Sequence, residues 1–271
     1  MATADADIPP RADSEMPIEE MMAIQEQLIS DSVRPGFDEM IDKSGILSST
    51  NGNESQSVLD LTYSGGLLVS QLEKRRDGGL AGLRIIFGDQ QEESLQFGRK
   101  RVAENGWEDV NVRLLKFEDL ALDKDTFDCI FLHQPEFGED LVSQLLRQIS
   151  TALTPTGVIT AIVNVPLGDL ARHEALSSAD PPLDSSKFHP SDLAFLSSLY
   201  TSAGLTSPSF ATLTGGVTNE AYRGAIKAMG IVLEPINQEC VEFIDAEWAE
   251  SGKEGLPRVE WEQLVIVAKK A

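Results

Sequence analysis

The chain is 271 residues long and 41% hydrophobic, which is enough to bury one large core. Lys and Arg total 22 against 44 Asp and Glu, so the formal net charge is −22, which disfavours nucleic acid and anionic membranes as partners. The two cysteines and three histidines stand at no metal-ligand spacing, so we expect no metal site. The sequence shows neither a leader peptide nor an apolar run of about 18 residues, and we therefore expect a cytoplasmic protein.

The N-terminal part of the chain divides into a polar tail and two helices. Residues 1–16 have almost no apolar periodicity, which predicts a disordered acidic tail. From Pro17 onward apolar residues recur at helical spacing, and a second short helix, containing Phe37, Met40 and Ile41, is expected after a break at Pro35-Gly36.

Beyond residue 56, short apolar runs rich in β-branched residues alternate with helical patterns. This alternation predicts an α/β domain over residues 17–271, with repeated β-α units and a mostly parallel sheet. The strands are expected at Ser57–Leu61, Leu83–Phe87, Val110–Leu115, Phe127–Leu132, Gly157–Val163, Ser209–Leu213 and Trp261–Ala268. The helices between them are expected at Gly66–Arg76, Glu92–Asn105, Glu139–Leu153 and Ser191–Ala203. We expect Pro155-Thr156-Gly157 to turn the chain into the fifth strand.

Two stretches interrupt the alternation. Residues 167–190 are rich in Ser, Asp, Pro and His, and residues 218–256 have the pattern of two further helices. Loops at the carboxyl ends of parallel strands are where open α/β sheets bind ligands, so both stretches are candidates for a lid or a substrate pocket. The alternative is that both are surface elaborations.

The first strand-to-helix junction has the form expected where the main chain approaches a ligand. Asp60 ends a buried strand, a turn of small residues follows, and a helix opens at Gly66. The alternative is a turn whose glycines serve conformation only. The junction has neither the G-x-G-x-x-G of dinucleotide-binding proteins nor the Gly-Lys-Ser/Thr of a P-loop, which argues against those nucleotide classes.

Two later strand ends also carry polar side chains. Asp89 ends the second strand, where we expect a solvent-facing carboxylate that accepts both hydroxyls of a ribose; the alternative is a helix cap. His133 follows the fourth strand, where a neutral imidazole can take a proton from a substrate, unless it only satisfies a loop carbonyl. The weaker candidates are Tyr63, Gln134, His173 and His189.

The order and spacing of these features resemble the class I S-adenosylmethionine-dependent methyltransferases. Within them, the chain looks most like the small-molecule enzymes of the ubiquinone/menaquinone-biosynthesis type that are common in fungal secondary metabolism. The residues that carry the resemblance are Asp60, Gly66, Asp89, Gly98-Arg99-Lys100, Phe127-Asp128, Pro155-Thr156-Gly157 and the closing strand at Trp261–Lys269.

The resemblance implies a Rossmann-like fold, in which a seven-stranded, mostly parallel sheet has helices on both faces. It also implies helices before the first strand, a helical insertion before the last strand, and S-adenosylmethionine as the cofactor. The cofactor-binding residues that it implies are Asp60, Thr62, Ser64, Gly65, Gly66, Asp89, Gln90, Phe117, Glu118 and His133. Of these, His133 is also the candidate catalytic base.

The chain departs from the family pattern at two places. Thr62 and Ser64 stand where the family has its first two glycines, and their side chains are expected to crowd the methionine part of the cofactor. Lys116 stands where the family has an acid facing the adenine, although Glu118 and Asp119 follow closely. Two weakened contacts of roughly 1–3 kcal/mol each would lower cofactor affinity at least tenfold.

The function that this pattern predicts is methyl transfer to a small apolar or aromatic metabolite in secondary-metabolite biosynthesis, by an enzyme that forms a homodimer or acts alone. Two other functions are compatible with the same sequence. A protein of this fold that has lost methyl transfer can catalyse a cyclisation or isomerisation, and a non-catalytic partner can use the acidic surface for assembly. Fold alone does not separate these functions.

Overall fold

The computed structural model describes residues 34–47, 55–90, 92–133, 139–165, 193–218 and 258–271. Several expectations lie outside these ranges. They are the tail at 1–16, the helix from Pro17, the candidate lid at 167–190, nearly all of the candidate segment 218–256, and the side chains of Gln134, His173 and His189.

Within the described residues, seven strands form one sheet. They are β1 (Gln56–Leu61), β2 (Leu83–Asp89), β3 (Val110–Leu114), β4 (Phe127–His133), β5 (Leu153–Val165), β6 (Ser209–Thr218) and β7 (Arg258–Lys269). Their order across the sheet is β3-β2-β1-β4-β5-β7-β6. The first five strands pair in parallel, and β7 lies antiparallel between β5 and β6. The predicted mostly parallel seven-stranded sheet is confirmed.

The described helices cover both faces of this sheet. They are α1 (Arg34–Ser44), α2 (Leu67–Arg75), α3 (Glu92–Asn105), α4 (Glu139–Ala152) and α5 (Leu193–Ser202). Side chains of α1 and α2 share one core cluster with alternate strand residues, and side chains of α4 and α5 share the other, which we call the α4/α5 face. Helix α3 contacts β2 and β3. None of the described helices is long and apolar enough to cross a membrane.

Helix α4 shows how sequence pattern becomes packing. Its apolar side chains recur every three or four residues, and Val142, Leu145, Leu146 and Ile149 are all fully buried against the sheet. Burial of each such side chain contributes about 1.5–3 kcal/mol. Two acidic residues in the first turn suit the positive end of the helix dipole.

Helix α1 begins at Arg34, so the predicted break at Pro35-Gly36 is wrong. Proline is tolerated in a first helical turn because the amide that it lacks has no intrahelical partner there. A Cβ at Gly36 would lie 2.1 Å from Ile162 Cδ1 and 2.7 Å from Gln263 Oε1. The glycine therefore lets α1 pack closely on β5 and β7.

The predicted turn at Pro155-Thr156-Gly157 falls inside strand β5, at an irregularity in its pairing with β4. Strand β5 begins directly after α4, at Leu153, and its register against β4 shifts between Phe127 and Cys129. A Cβ at Gly157 would lie 2.9 Å from the Phe127 carbonyl oxygen, so the two backbones approach closely at the irregularity. Single-strand periodicity does not reveal such a shift, because it depends on the neighbouring strand.

Candidate active site at the strand ends

The candidate site lies where the strand order changes direction. Strand β1 has β2 on one side and β4 on the other, and such a switch point is the usual ligand site of open α/β sheets. Asp60 of β1 pairs with Phe87 and with Phe131. Asp89 and His133 each lie two residues further along their strands, so all three side chains project from the same face. We call these strand ends, the turn at 62–66 and the loop at 116–120 the site edge.

Asp60 is completely buried. Its Oδ1 accepts hydrogen bonds from the Thr62 amide at 2.9 Å and the Thr62 hydroxyl at 2.6 Å. Its Oδ2 has no hydrogen-bond partner among the described residues. Loss of solvation raises the pKa of Asp60 to about 6, the charge of Asp89 adds to the rise, and the bonds from Thr62 oppose it.

Hydroxyl groups connect Asp60 to the start of α2. The Thr62 hydroxyl lies 2.9 Å from the Ser64 hydroxyl, which accepts a 3.3 Å hydrogen bond from the Leu68 amide. Both side chains are buried. Thr62 and Ser64, which the sequence interpretation named both as cofactor-binding residues and as side chains that crowd the cofactor, thus also fix the turn, and Ser64 binds an amide of the first turn of α2.

Two glycines complete the turn in left-handed conformations, Gly65 at φ +60° and Gly66 at φ +84°. Above them lies Arg101 of α3, whose Nε donates to the Gly65 carbonyl at 3.1 Å and whose Cδ is 3.4 Å from a Cβ built on Gly66. The sequence interpretation missed Arg101 and named the neighbouring Arg99 and Lys100 only as carriers of the family resemblance; Arg99 pairs with Glu92 at the surface. Helical spacing from Phe97, which also faces Gly65, was the signal for Arg101.

Asp89 is only 2% exposed, so the expected solvent-facing carboxylate is wrong. Its backbone carbonyl accepts from the Leu115 amide at 2.9 Å, which extends β2 to the strand end. The adjacent Gln90 accepts a 3.4 Å hydrogen bond from the Phe117 amide through its Oε1. The loop that carries Phe117 is thereby held against the end of β2.

The loop carrying Phe117 is held by α4. Gln148 donates to the Phe117 carbonyl at 3.1 Å and accepts from the Leu120 amide at 2.9 Å, while Gln144 donates to the Glu118 carbonyl at 2.7 Å. Phe117 is buried, whereas Lys116 and Glu118 are exposed. The loop is therefore a fixed platform with one aromatic ring inside and charged side chains outside.

Tyr63 has the most unusual conformation at the site edge. Its φ of +53° lies in the left-handed region, which costs a non-glycine residue on the order of 1–3 kcal/mol. Its ring meets Phe117 edge to face, with centroids 5.0 Å apart and planes at 77°. Its hydroxyl is buried and has no hydrogen-bond partner in the described part of the chain. Burial raises the pKa of Tyr63, as do the charges of Asp89, Asp60 and Glu118.

His133 is half-buried at the end of β4, where it pairs with Ile162 of β5. Burial lowers the pKa of its imidazole, which favours the neutral form that can accept a proton at neutral pH. Among the described residues, no three His, Cys, Asp or Glu side chains are grouped to hold a metal ion.

Residues 58–157 match a protein-family model described as a methyltransferase domain. The match runs from β1 into β5 and contains every candidate site residue except the weaker candidates His173 and His189. Comparison with curated proteins finds no relative in sequence.

Solved structures with the same fold include three from bacteria. A candidate methyltransferase of Bacillus halodurans is 14% identical, with a TM-score of 0.58 over 84% of this chain and 99% of that one. The YcgJ protein of Bacillus subtilis is 15% identical, with a TM-score of 0.57 over 84% and 98%. Geranyl diphosphate C-methyltransferase of Streptomyces coelicolor, bound to Mg²⁺, geranyl diphosphate and S-adenosylhomocysteine, is 14% identical, with a TM-score of 0.53 over 96% and 86%.

These comparisons agree with the sheet order. The chain has the class I methyltransferase fold, and residues 58–157 match a methyltransferase domain.

Proposed function

We propose that this protein transfers a methyl group from S-adenosylmethionine to a small apolar or aromatic metabolite in secondary-metabolite biosynthesis. The observation that supports it most is the pair of buried acids on adjoining strand ends, Asp60 and Asp89, beside a glycine turn that opens a helix. Carboxylates in a poorly solvated site bind hydroxyl groups and positive charge strongly, and the cofactor offers both.

The residues at the site edge suit the parts of this cofactor. Asp89 would accept the ribose hydroxyls, Phe117 would pack against the adenine, and the turn at Gly65-Gly66 would let the main chain approach the methionine portion. The unpartnered Oδ2 of Asp60 offers one further acceptor. When bound, the cofactor supplies an electrophilic methyl group on a sulfonium.

His133 would act on the acceptor. A neutral imidazole at the end of β4 can take the proton that an acceptor hydroxyl or activated carbon loses as it gains the methyl group. Little more is needed, because methyl transfer depends mainly on alignment of the acceptor.

The acceptor class is inferred from charge and from the neighbours. A net charge of −22 disfavours nucleic acid and anionic membranes, which is consistent with an uncharged metabolite and a cytoplasmic enzyme, monomeric or homodimeric. The Streptomyces coelicolor neighbour methylates a small isoprenoid, geranyl diphosphate. The chain's resemblance to fungal secondary-metabolism enzymes points to the same size of substrate.

Calorimetric titration with S-adenosylhomocysteine tests the proposal directly. We expect micromolar binding, and no binding of NAD⁺, which shares the adenosine but requires a glycine pattern that this chain lacks. Absence of S-adenosylhomocysteine binding at millimolar concentration would overturn the proposal. The remaining candidates would then be a cofactor-free cyclase or isomerase and a non-catalytic partner.

A further inference from the structure

We propose that Tyr63 controls the affinity of the nucleoside pocket by occupying it, so that its ring must leave Phe117 before a cofactor binds. The identity of the ligand rests on the proposed function. The displacement of Tyr63 is a separate claim about this chain's own residues, with its own measurement.

The backbone of Tyr63 is the first observation. Its φ of +53° is a conformation that glycine adopts readily and tyrosine rarely, and Gly65 and Gly66 adopt it within the same turn. A non-glycine residue stays there only when its surroundings hold it. The turn therefore stores strain at the one position whose side chain faces Phe117.

The ring contact is what holds Tyr63 in place. The edge-to-face geometry is favourable for two aromatic rings, and Phe117 is a rigid partner because Gln148 and Gln90 fix its carbonyl and amide. The tyrosine ring thus covers the one buried aromatic surface of the loop at 116–120, beside Asp89. A flat nucleobase would need that surface for itself.

The hydroxyl of Tyr63 opposes this arrangement. It is buried without a hydrogen-bond partner among the residues that the structure describes, although three carboxylates act on it. Burial and those charges raise its pKa, so the group remains a neutral donor, and it has no acceptor within the described ranges. Movement of the side chain toward solvent would hydrate the hydroxyl and relax the backbone.

Packing against Phe117 therefore favours the position in which the Tyr63 ring fills the pocket, whereas the strained backbone and the buried hydroxyl disfavour it. Opposing contributions of this kind allow the side chain two accessible positions, closed and open. A ligand that binds only the open position loses affinity in proportion to the closed fraction. Tyr63→Gly removes the ring and suits the left-handed backbone, so we expect it to bind S-adenosylhomocysteine at least tenfold more tightly than the wild type.

The test combines titration with a spectroscopic signal from the residue itself. The chain has three tyrosines, so protein labelled with 3-fluorotyrosine should give three ¹⁹F signals, and Tyr63→Phe identifies the one from Tyr63. We expect saturating S-adenosylhomocysteine to shift this signal and to leave that of Tyr200, deep in the α4/α5 face, in place. Tyr63→Phe keeps the ring and removes the hydroxyl that opposes the closed position, so its affinity should be no higher than that of the wild type.

If the wild type binds S-adenosylhomocysteine without a shift of the Tyr63 signal, or if folded Tyr63→Gly binds no more tightly, the inference is wrong and the proposed function stands. Binding by Tyr63→Gly alone would support both. If neither protein binds, both fail. Should Tyr63→Gly not fold, Tyr63→Ala and the signal of the labelled wild type give the same decision.

Discussion

The α4/α5 face and the site edge lie on one sheet but use their buried residues differently. On the α4/α5 face, whose core also takes in Phe117 of the site edge, mostly aliphatic side chains fill the space, and the buried Ser150 hydroxyl bonds to the Gly204 carbonyl at 3.0 Å. At the site edge, the carboxylates of Asp60 and Asp89 are both buried. Asp60 Oδ2 and the Tyr63 hydroxyl lack hydrogen-bond partners among the described residues, and the backbone of Tyr63 is in the left-handed region.

The difference distinguishes buried residues that stabilise the fold from buried residues that are arranged for a ligand. Close packing contributes stability, whereas buried charge and backbone strain reduce stability and are retained where they serve a ligand. Variants in the two regions test this distinction. A substitution on the α4/α5 face should change the free energy of unfolding and leave cofactor affinity unchanged.

The largest effect is expected from Leu145→Ala on α4. The side chain is fully buried, so its truncation should lower the free energy of unfolding by about 2–5 kcal/mol. Denaturant unfolding measures the loss, and the exposed Arg147→Ala, two residues along, is the matched control, with a change within about 0.5 kcal/mol. The folded variant should bind S-adenosylhomocysteine as the wild type does. A large loss of affinity would remove the distinction between the two regions.

The second prediction concerns pH and Asp60. Its pKa is about 6 in the folded protein against an ordinary value of 3.8, so the folded state keeps a proton that the unfolded state has already released. Stability should therefore fall as pH rises from about 4 to 6, by on the order of 2 kcal/mol from this group alone. Asp60→Asn should remove that part of the slope.

Unfolding curves at several pH values between about 4 and 7 measure this effect as the difference between wild type and Asp60→Asn, because the other acids contribute equally to both. If the free energy of unfolding depends on pH in the same way in both proteins, the pKa of Asp60 is not raised by folding, and the site edge does not differ from the rest of the core in this respect.

Much of the fold was predictable because it depends on local pattern. The apolar runs place β1 to β4 within two residues of their observed bounds, and the stripe on α4 identifies its buried face. Asp60 and Asp89 were found because acids at the ends of buried strands are conspicuous in a sequence.

What the sequence did not reveal depends on contacts between distant segments. Arg101 reaches Gly65 across 36 residues, and the register shift in β5 depends on β4. The loop after β3 is held to the end of β2 by bonds from the Leu115 amide to the Asp89 carbonyl and from the Phe117 amide to Gln90. The left-handed backbone of Tyr63 and its ring contact with Phe117 are likewise indicated by no spacing within the turn.

The smallest effect, and the most specific, is expected from Asp89→Asn. The asparagine has the same shape but loses the negative charge, so it should weaken each of two charge-assisted hydrogen bonds to a ribose. Together these weakened bonds should reduce S-adenosylhomocysteine affinity at least tenfold, which calorimetric titration measures.

The same variant should not be less stable than the wild type, because the change removes a buried charge that repels Asp60. Instead, the pKa of Asp60 should decrease toward its ordinary value, and NMR of its carboxyl carbon can follow the change. If affinity is unchanged while the pKa of Asp60 falls, Asp89 belongs to the electrostatics of the site edge and not to its ligand. If affinity falls and the pKa does not, the two carboxylates are not coupled, and the buried acid pair loses its place as the main support for the proposed function.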